Sequence, residues 1–225
     1  MTSYQVLGQT VPLPVVVRDA SSATVMFEVD LAAAQALSPF PVVESGPGTA
    51  QVAIILVDYR ENDLGRYHEV GIVLFVQPEG REAGTYIRHL PVDQEFTNAA
   101  GNLIWGFPKT VQKIDVTDTD TSTRWILTMD GEPVLDITVP RGGEDEMPQM
   151  ELATYTLKDG VPHVTAFAQG GTGSSLTLGG EGVSLSLGSH PVAKELESLG
   201  LPEAPVVLSS WLGKMQATFG DAVAL

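Results

Sequence analysis

The sequence of 225 residues contains no cysteine. This absence excludes a disulfide framework, a thiolate zinc site and a cysteine nucleophile. Basic residues are scarce, with 12 Lys+Arg against 28 Asp+Glu, which gives a formal net charge of −16. Such a chain repels phosphate backbones and anionic membrane surfaces, so neither nucleic acid nor a membrane is expected as a partner.

Long apolar runs are also missing. Runs such as residues 52–57 (VAIILV) fall far short of the roughly 18 residues that a membrane span requires. Residues 1–13 lack the positive start and continuous apolar stretch of a secretory signal, so a cytoplasmic protein is expected. Hydrophobic residues nevertheless make up 43% of the chain, which is enough for a folded core rather than an acidic disordered tail.

Apolar and polar residues alternate with a period of two through most of the sequence, and Gly, Pro and Asp-Gly separate the alternating segments. This pattern predicts a mainly β fold, an antiparallel multi-stranded barrel-like or sandwich architecture, in a single domain over residues 1–225. The predicted strands are residues 24–29, 51–59, 67–77, 84–90, 110–116, 122–129, 133–139, 152–157, 161–168, 174–178, 183–187 and 206–218, the last in one or two pieces.

Two or three short helices are predicted between the strands. Asp30 can cap a helix over residues 31–37, and Asp93 can cap a helix over residues 95–100. Residues 190–200 have proline near their start and glycine at their end, the asymmetry typical of a helix.

Two Gly-rich segments are interpreted as loops. Residues 170–175 (GGTGSS) lack the lysine and the following helix of a phosphate-binding loop, so a hairpin loop is favoured. Residues 141–148 (RGGEDEMP) are acidic and favour a surface loop over a domain boundary. The four histidines are scattered without the spacing of a metal site, and no metal is predicted.

One lysine lies in a stretch that is almost without charge. Lys109 follows an aromatic turn, Trp105-Gly106-Phe107-Pro108, and precedes a predicted strand. Such a lysine either extends its amine to water along an apolar surface or is held inside an apolar pocket. From the residues alone, extension to water is favoured.

Residues 64–69 (LGRYHE), followed by an apolar strand, together with residues 99–109 (AAGNLIWGFPK), resemble the acetoacetate decarboxylase family. The resemblance is weak over most of the chain and specific only between Leu64 and Lys109. In that family a Tyr-x-Glu strand precedes a short helix, and an aromatic-Pro-Lys motif presents the lysine that forms a Schiff base. The resemblance therefore implies that Lys109 is the amine nucleophile and Glu69 the pocket glutamate, with no cofactor.

The chemistry of the residues agrees with these roles. A lysine amine attacks a carbonyl only when it is unprotonated, so something must lower its pKa from about 10.4, and burial in an apolar pocket does so. Trp105 and Phe107 are expected as walls and substrate contacts. Glu69 shares a strand face with Tyr67, a further expected substrate contact, and with the predicted wall residues Val73 and Phe75. A carboxylate on an apolar face suits a proton-handling residue, although a salt bridge at the rim is equally compatible with the sequence.

The sequence also departs from the family pattern. The family nucleophile is followed at once by a second lysine, whereas Thr110 follows Lys109 here. The next lysine, Lys113, lies about 13 Å along an extended strand at ~3.3 Å per residue, so burial would have to supply most of the pKa lowering. A further family carboxylate falls at Ile54. The family's arginine that holds the substrate carboxylate has no clean match, and Arg18, two residues out of register, is the candidate for it.

Three functions follow, in this order. The first is a Schiff-base lyase that decarboxylates a small β-keto acid through a Lys109 imine and enamine. The second uses the same lysine for aldol condensation or dehydration of a keto acid, and the third is a non-catalytic binder of a small ligand. By analogy with family members that form larger assemblies, a homo-oligomer is also allowed. Because the net charge opposes an anionic substrate, the basic residues that could offset it are Arg18, Arg66 and Lys113.

Overall fold

The computed structural model describes residues 2–225, which form fifteen strands and three helices. The helices are α1 (Leu31–Ala36), α2 (Glu95–Trp105) and α3 (Pro191–Ser198). The strands are β1 (Ser3–Val6), β2 (Gln9–Pro12), β3 (Val15–Asp30), β4 (Glu44–Gly46), β5 (Thr49–Asn62), β6 (Tyr67–Val76), β7 (Gly84–Val92), β8 (Lys109–Val111), β9 (Lys113–Asp118), β10 (Ser122–Met129), β11 (Glu132–Pro140), β12 (Asp145–Lys158), β13 (Val161–Leu178), β14 (Ser184–Leu187) and β15 (Val206–Ala224).

Seven of these strands close into a barrel, in the order β12-β13-β15-β3-β5-β6-β7. Neighbouring strands pair antiparallel, except that β7 and β12 pair in parallel to close the ring. The short strand β8 adds to β7 in parallel, with Leu90 opposite Lys109. This mainly β barrel confirms the predicted fold class, while the parallel pairs differ from the purely antiparallel expectation.

A second sheet, in the order β14-β11-β10-β9, lies outside the barrel. Its buried residues, such as Trp125 and Ile137, join those of β5 and β6, such as Leu56 and Ile72, in one apolar core. Residues of β5 and β6 that alternate with these, including Val57 and Val73, belong to a second core inside the barrel. Because successive residues of a strand point to opposite faces, β5 and β6 are buried by one core on each face, which explains their near-continuous apolar sequence.

The helices begin and end on side-chain and backbone caps. The Asp30 carboxylate accepts a hydrogen bond from the first turn of α1, as predicted. Helix α2 is capped by Gln94 rather than by Asp93, and it runs to Trp105 instead of stopping at residue 100. It ends at Gly106, whose φ of 66° is the left-handed conformation that glycine adopts most readily. In residues 2–225, no helix is both long and apolar enough to cross a membrane.

Three further predictions of element boundaries are wrong. Residues 110–116 do not form one strand, because the chain leaves the barrel after β8 and enters the outer sheet as β9. Residues 170–175 are not a hairpin loop, since β13 runs through them opposite β15. Residues 141–148 form a loop only at their start, and β12 begins at Asp145.

Candidate active site

The interior of the barrel contains a cavity of about 740 Å³. Most of its wall is apolar, and the side chains come from the barrel strands, the end of α2 and the turn before β8. The sequence-predicted residues Tyr67, Glu69, Trp105, Phe107 and Lys109 all line it. The structure therefore brings together every predicted site residue except Arg18.

Lys109 is held in the cavity wall by its backbone and by α2. Its backbone carbonyl accepts a hydrogen bond of 3.0 Å from the side-chain amide of Asn102, and its strand pairs with β7. Its side chain is only 3% exposed. Of the two sequence alternatives, the amine is therefore in the pocket rather than extended to bulk water.

The aliphatic part of Lys109 lies against the backbone of α2 at Gly101. A Cβ placed on Gly101 would come within 2.5 Å of Cδ and 2.8 Å of Cε of Lys109. Glycine in the middle of a helix costs roughly 1 kcal/mol relative to alanine. At this position it provides the space in which the lysine side chain runs, and it is part of the site.

The amine of Lys109 has three close neighbours. Nζ lies 2.8 Å from Oε2 of Glu69 and donates a hydrogen bond of 2.9 Å to Oγ1 of Thr97. It also lies 4.8 Å from the ring centroid of Tyr67. The contact with Thr97 has the geometry of a hydrogen bond, whereas Oε2 of Glu69 has no hydrogen-bond partner among the described residues. Lys109 and Glu69 thus form a close ion pair.

Glu69 is itself held from its other oxygen. The hydroxyl of Tyr59 donates a hydrogen bond of 3.2 Å to Oε1, and the rings of Tyr59 and Tyr67 stack with centroids 4.4 Å apart. Burial, together with the charge of Glu69, raises the pKa of Tyr59 well above its ordinary value. Tyr59 is therefore a neutral donor that fixes one oxygen of Glu69 and leaves the other facing Lys109.

The protonation of Lys109 differs from the sequence expectation. Burial is the largest influence and lowers the pKa of Lys109, but the charge of Glu69 and the nearby Tyr67 outweigh it and raise that pKa above its ordinary value. The expected lowering of the Lys109 pKa is therefore wrong. In this arrangement the amine is an ammonium paired with a carboxylate.

The two aromatic residues before Lys109 form the adjoining wall. The rings of Trp105 and Phe107 stack with centroids 5.3 Å apart, and the indole N–H of Trp105 donates a hydrogen bond of 2.7 Å to the carbonyl of Gly220. That bond satisfies the one polar atom of the indole and fixes the ring as a rigid apolar surface.

Arg18 is not in the cavity. Val17, its neighbour on β3, faces the cavity, so Arg18 points out of the barrel, where its half-exposed side chain pairs with Asp63 at 2.7 Å. The expectation that Arg18 contacts substrate is corrected on this geometry. Arg66 is exposed and does not line the cavity.

The other two positions compared with the family also lie elsewhere. Lys113 is exposed and pairs with Asp115 on the outer sheet. Ile54 is buried in the core between the barrel and that sheet. Among the lining residues that the structure describes, Lys109 is the only cation.

Sequence reasoning missed Thr97, Tyr59 and Gly101. Tyr59 had a detectable signal, because it stands on the predicted strand 51–59 at the same end as Tyr67. Thr97 and Gly101 had none, because nothing in the residues indicated that this helix packs against the side chain of Lys109. Over residues 2–225, no group of three or more His, Cys, Asp and Glu side chains has the arrangement of a metal site.

The closed barrel therefore holds a buried lysine–glutamate pair in the wall of an apolar cavity. The family model for acetoacetate decarboxylase (ADC) matches residues 1–224, and the chain belongs to that family. No curated protein sequence matches it.

Solved structures share the fold. The acetoacetate decarboxylase of Legionella pneumophila subsp. pneumophila str. Philadelphia 1 is 20% identical, with a TM-score of 0.70 over 94% of this chain and 87% of that one. The enduracididine biosynthesis enzyme MppR, complexed with pyruvate, is 17% identical, with a TM-score of 0.62 over 95% and 91%. An acetoacetate decarboxylase-like enzyme from Sphingomonas wittichii RW1 is 16% identical, with a TM-score of 0.62 over 97% and 96%.

Proposed function

We propose that this protein is a Schiff-base lyase that decarboxylates a β-keto acid, with Lys109 as nucleophile and Glu69 as proton acceptor and donor. The observation that carries the proposal is the buried ion pair, with Nζ of Lys109 2.8 Å from Oε2 of Glu69 in the wall of an apolar cavity. Within such a pair, one proton transfer produces the free amine that a carbonyl requires. Membership of the acetoacetate decarboxylase family supports it.

The first half of the reaction makes the imine. The ammonium of Lys109 passes a proton to Glu69, and the free amine attacks the keto carbon, forming a C–N bond as the carbonyl π electrons move to oxygen. That oxygen takes up the proton held by Glu69 and, after a second proton transfer, leaves as water. The product is an iminium ion that is covalently bound to Lys109.

The second half breaks the carbon–carbon bond. The electron pair of the bond to the carboxylate flows toward the iminium nitrogen, so carbon dioxide leaves and a neutral enamine forms. A proton taken up from solvent through Glu69 then adds to the enamine carbon, and water hydrolyses the resulting iminium to the ketone and the amine of Lys109. Because charge disappears in the cleavage step, apolar walls such as Trp105 and Phe107 favour it.

A second candidate is aldol condensation or dehydration of a keto acid on the same lysine. It is favoured by Thr110 in place of the family's second lysine and by a cavity whose described lining includes no cation besides Lys109. The neighbour MppR has been solved with the condensation product of pyruvate and imidazole 4-carboxaldehyde. In this reaction the enamine attacks an aldehyde instead of taking up a proton, and the substrate carboxylate is kept.

Borohydride trapping with peptide mapping tests both candidates. With acetoacetate or pyruvate, reduction is expected to place the adduct on the peptide that contains Lys109, while the exposed Lys194 in the same sample serves as the internal control. Lys109→Met, which keeps an apolar chain, should abolish the adduct. Release of carbon dioxide then distinguishes decarboxylation from condensation. No adduct with any keto acid in a panel would contradict both reactions and leave a non-catalytic ligand binder.

A further inference from the structure

The cavity is large for the substrate that the family name suggests. Cavities of roughly 300–1,000 Å³ accommodate drug-sized ligands, and this one measures about 740 Å³. Acetoacetate carries a single methyl group beyond its carbonyl and would occupy only the region beside Lys109. The remaining apolar wall would then stay in contact with water, which forfeits the binding energy that its burial would give.

The cavity is also elongated along the barrel strands. On β6 the lining residues after Glu69 are Gly71, Val73 and Phe75, so the wall continues for six residues beyond the carboxylate. At ~3.3 Å per residue this is about 20 Å. On β5 the residues opposite Gly71 and Val73 are Ile55 and Ala53, which also line the cavity. An apolar channel therefore leads away from the lysine.

Charge along the cavity supplies little attraction for an anion. Three carboxylates line the cavity: Glu69 and the exposed Glu82 and Glu151. Among the described lining residues, the only cation is Lys109, which is already paired with Glu69. Ala83, Leu152 and Ala166 are also exposed lining residues. The cavity therefore opens to solvent on the side formed by these residues, Glu82 and Glu151. Because the opening carries carboxylates, the affinity for a keto acid must come mainly from apolar contact.

We infer that the substrate is a β-keto acid whose keto carbon bears a linear apolar chain, and that this chain occupies the channel from Gly71 to Phe75. This inference rests on the proposed function and adds the substrate class to it. The reaction converts such an acid and one proton into the corresponding methyl ketone and carbon dioxide. The keto carbon and carboxylate lie beside Lys109, and the chain extends toward the opening.

The expected effect of chain length on affinity follows from burial of the chain against the apolar wall. Each buried methylene contributes about 0.8 kcal/mol, which corresponds to roughly fourfold in affinity. Since the channel binds the chain equally in the ground state and the transition state, the gain should appear in kcat/KM through KM, with kcat nearly constant.

Acetoacetate and its homologues with propyl, pentyl and heptyl chains provide the test. On the wild-type protein, kcat/KM is expected to rise up to about fourfold per added methylene until the channel is filled. Borohydride trapping is run on each acid. Trapping without any rise in kcat/KM would overturn the inference and leave the proposed function intact, whereas no trapping with any member would remove both.

Two variants test where the apolar chain of the substrate binds. Val73→Phe narrows the channel and should lower kcat/KM for the heptyl acid by a much larger factor than for acetoacetate. Val161→Phe makes the same chemical change at an exposed position that does not line the cavity, and it should behave as wild type. Equal losses for acetoacetate and the heptyl acid in Val73→Phe would contradict the assigned path. The wild-type series decides the inference if that variant does not fold.

Discussion

Gly101 offers the sharpest test of how the fold positions Lys109. In Gly101→Ala the new Cβ would lie 2.5 Å from Cδ of Lys109, whereas ordinary contact begins near 3.4 Å. The lysine side chain would have to move by about 0.9 Å. Its Nζ would then leave positions 2.8 Å from Glu69 and 2.9 Å from Thr97. A misplacement of about 1 Å at a reacting group costs on the order of a hundredfold in rate.

The stability of the same variant should change little. Alanine gains about 1 kcal/mol over glycine inside a helix, and the crowding of Lys109 costs roughly 1–3 kcal/mol. The free energy of unfolding is therefore expected to change by no more than about 2 kcal/mol. An approximately hundredfold loss of function without unfolding separates displacement of the lysine from general damage.

The assay is the rate of borohydride trapping with acetoacetate, measured beside denaturant unfolding of the same preparation. Leu103→Ala, at an exposed position of the same helix, is the control and should trap at the wild-type rate. Trapping by Gly101→Ala at the wild-type rate would refute the argument, since it would mean that the amine reaches substrate from a different path.

Three other changes test the site and the fold. Glu69→Gln removes the charge that raises the pKa of Lys109, so burial should dominate and that pKa should fall. NMR of carbon-13-labelled lysine measures the pKa, and an unchanged value would count against the ion pair. Thr97→Val leaves the buried ammonium of Lys109 without the hydroxyl that accepts its hydrogen bond and should lower the free energy of unfolding by about 1.5 kcal/mol or more, with Thr97→Ser restoring most of it in denaturant unfolding. Burial raises the pKa of Glu195, but hydrogen bonds with two basic side chains of β7 outweigh it and lower the pKa from 4.5 to about 2. This carboxylate therefore stabilises the fold above pH 4.5 and loses that contribution as the pH falls toward 2. The free energies of unfolding of the wild type and of Glu195→Gln should therefore converge as the pH is lowered from 4.5 to 2. A constant difference between them over this range would contradict the argument.

Much of the barrel could be predicted because its strands obey one simple period. The alternation that placed Tyr67, Glu69, Val73 and Phe75 on one face holds in the structure, where all four line the cavity. What the alternation could not provide was strand pairing, which sets β8 beside β7 and separates Lys113 from Lys109 by a change of sheet. Pairing depends on contacts between distant segments, and a single sequence gives no direct signal of them.

The Gly-rich segments show a different limit. Residues 170–175 read locally as a turn, but Gly171 and Gly173 adopt positive φ within a strand that stays paired with β15. A Cβ at Gly171 would meet the carbonyl of Lys214. Glycine here permits close approach of two backbones, which the sequence cannot distinguish from a turn. The role of Gly101 was missed because it depends on the side chain of Lys109, eight positions along the chain.

The ion pair changes what the pH dependence of this site can report. The charge of Glu69 keeps the pKa of Lys109 raised, and on the proposed function a bound keto acid would add a second anion near the same ammonium. On the proposed function, the free amine would therefore arise by proton transfer to Glu69 within the pair rather than by loss of a proton to water. The pH dependence of kcat/KM should consequently report the ion pair rather than Lys109 alone.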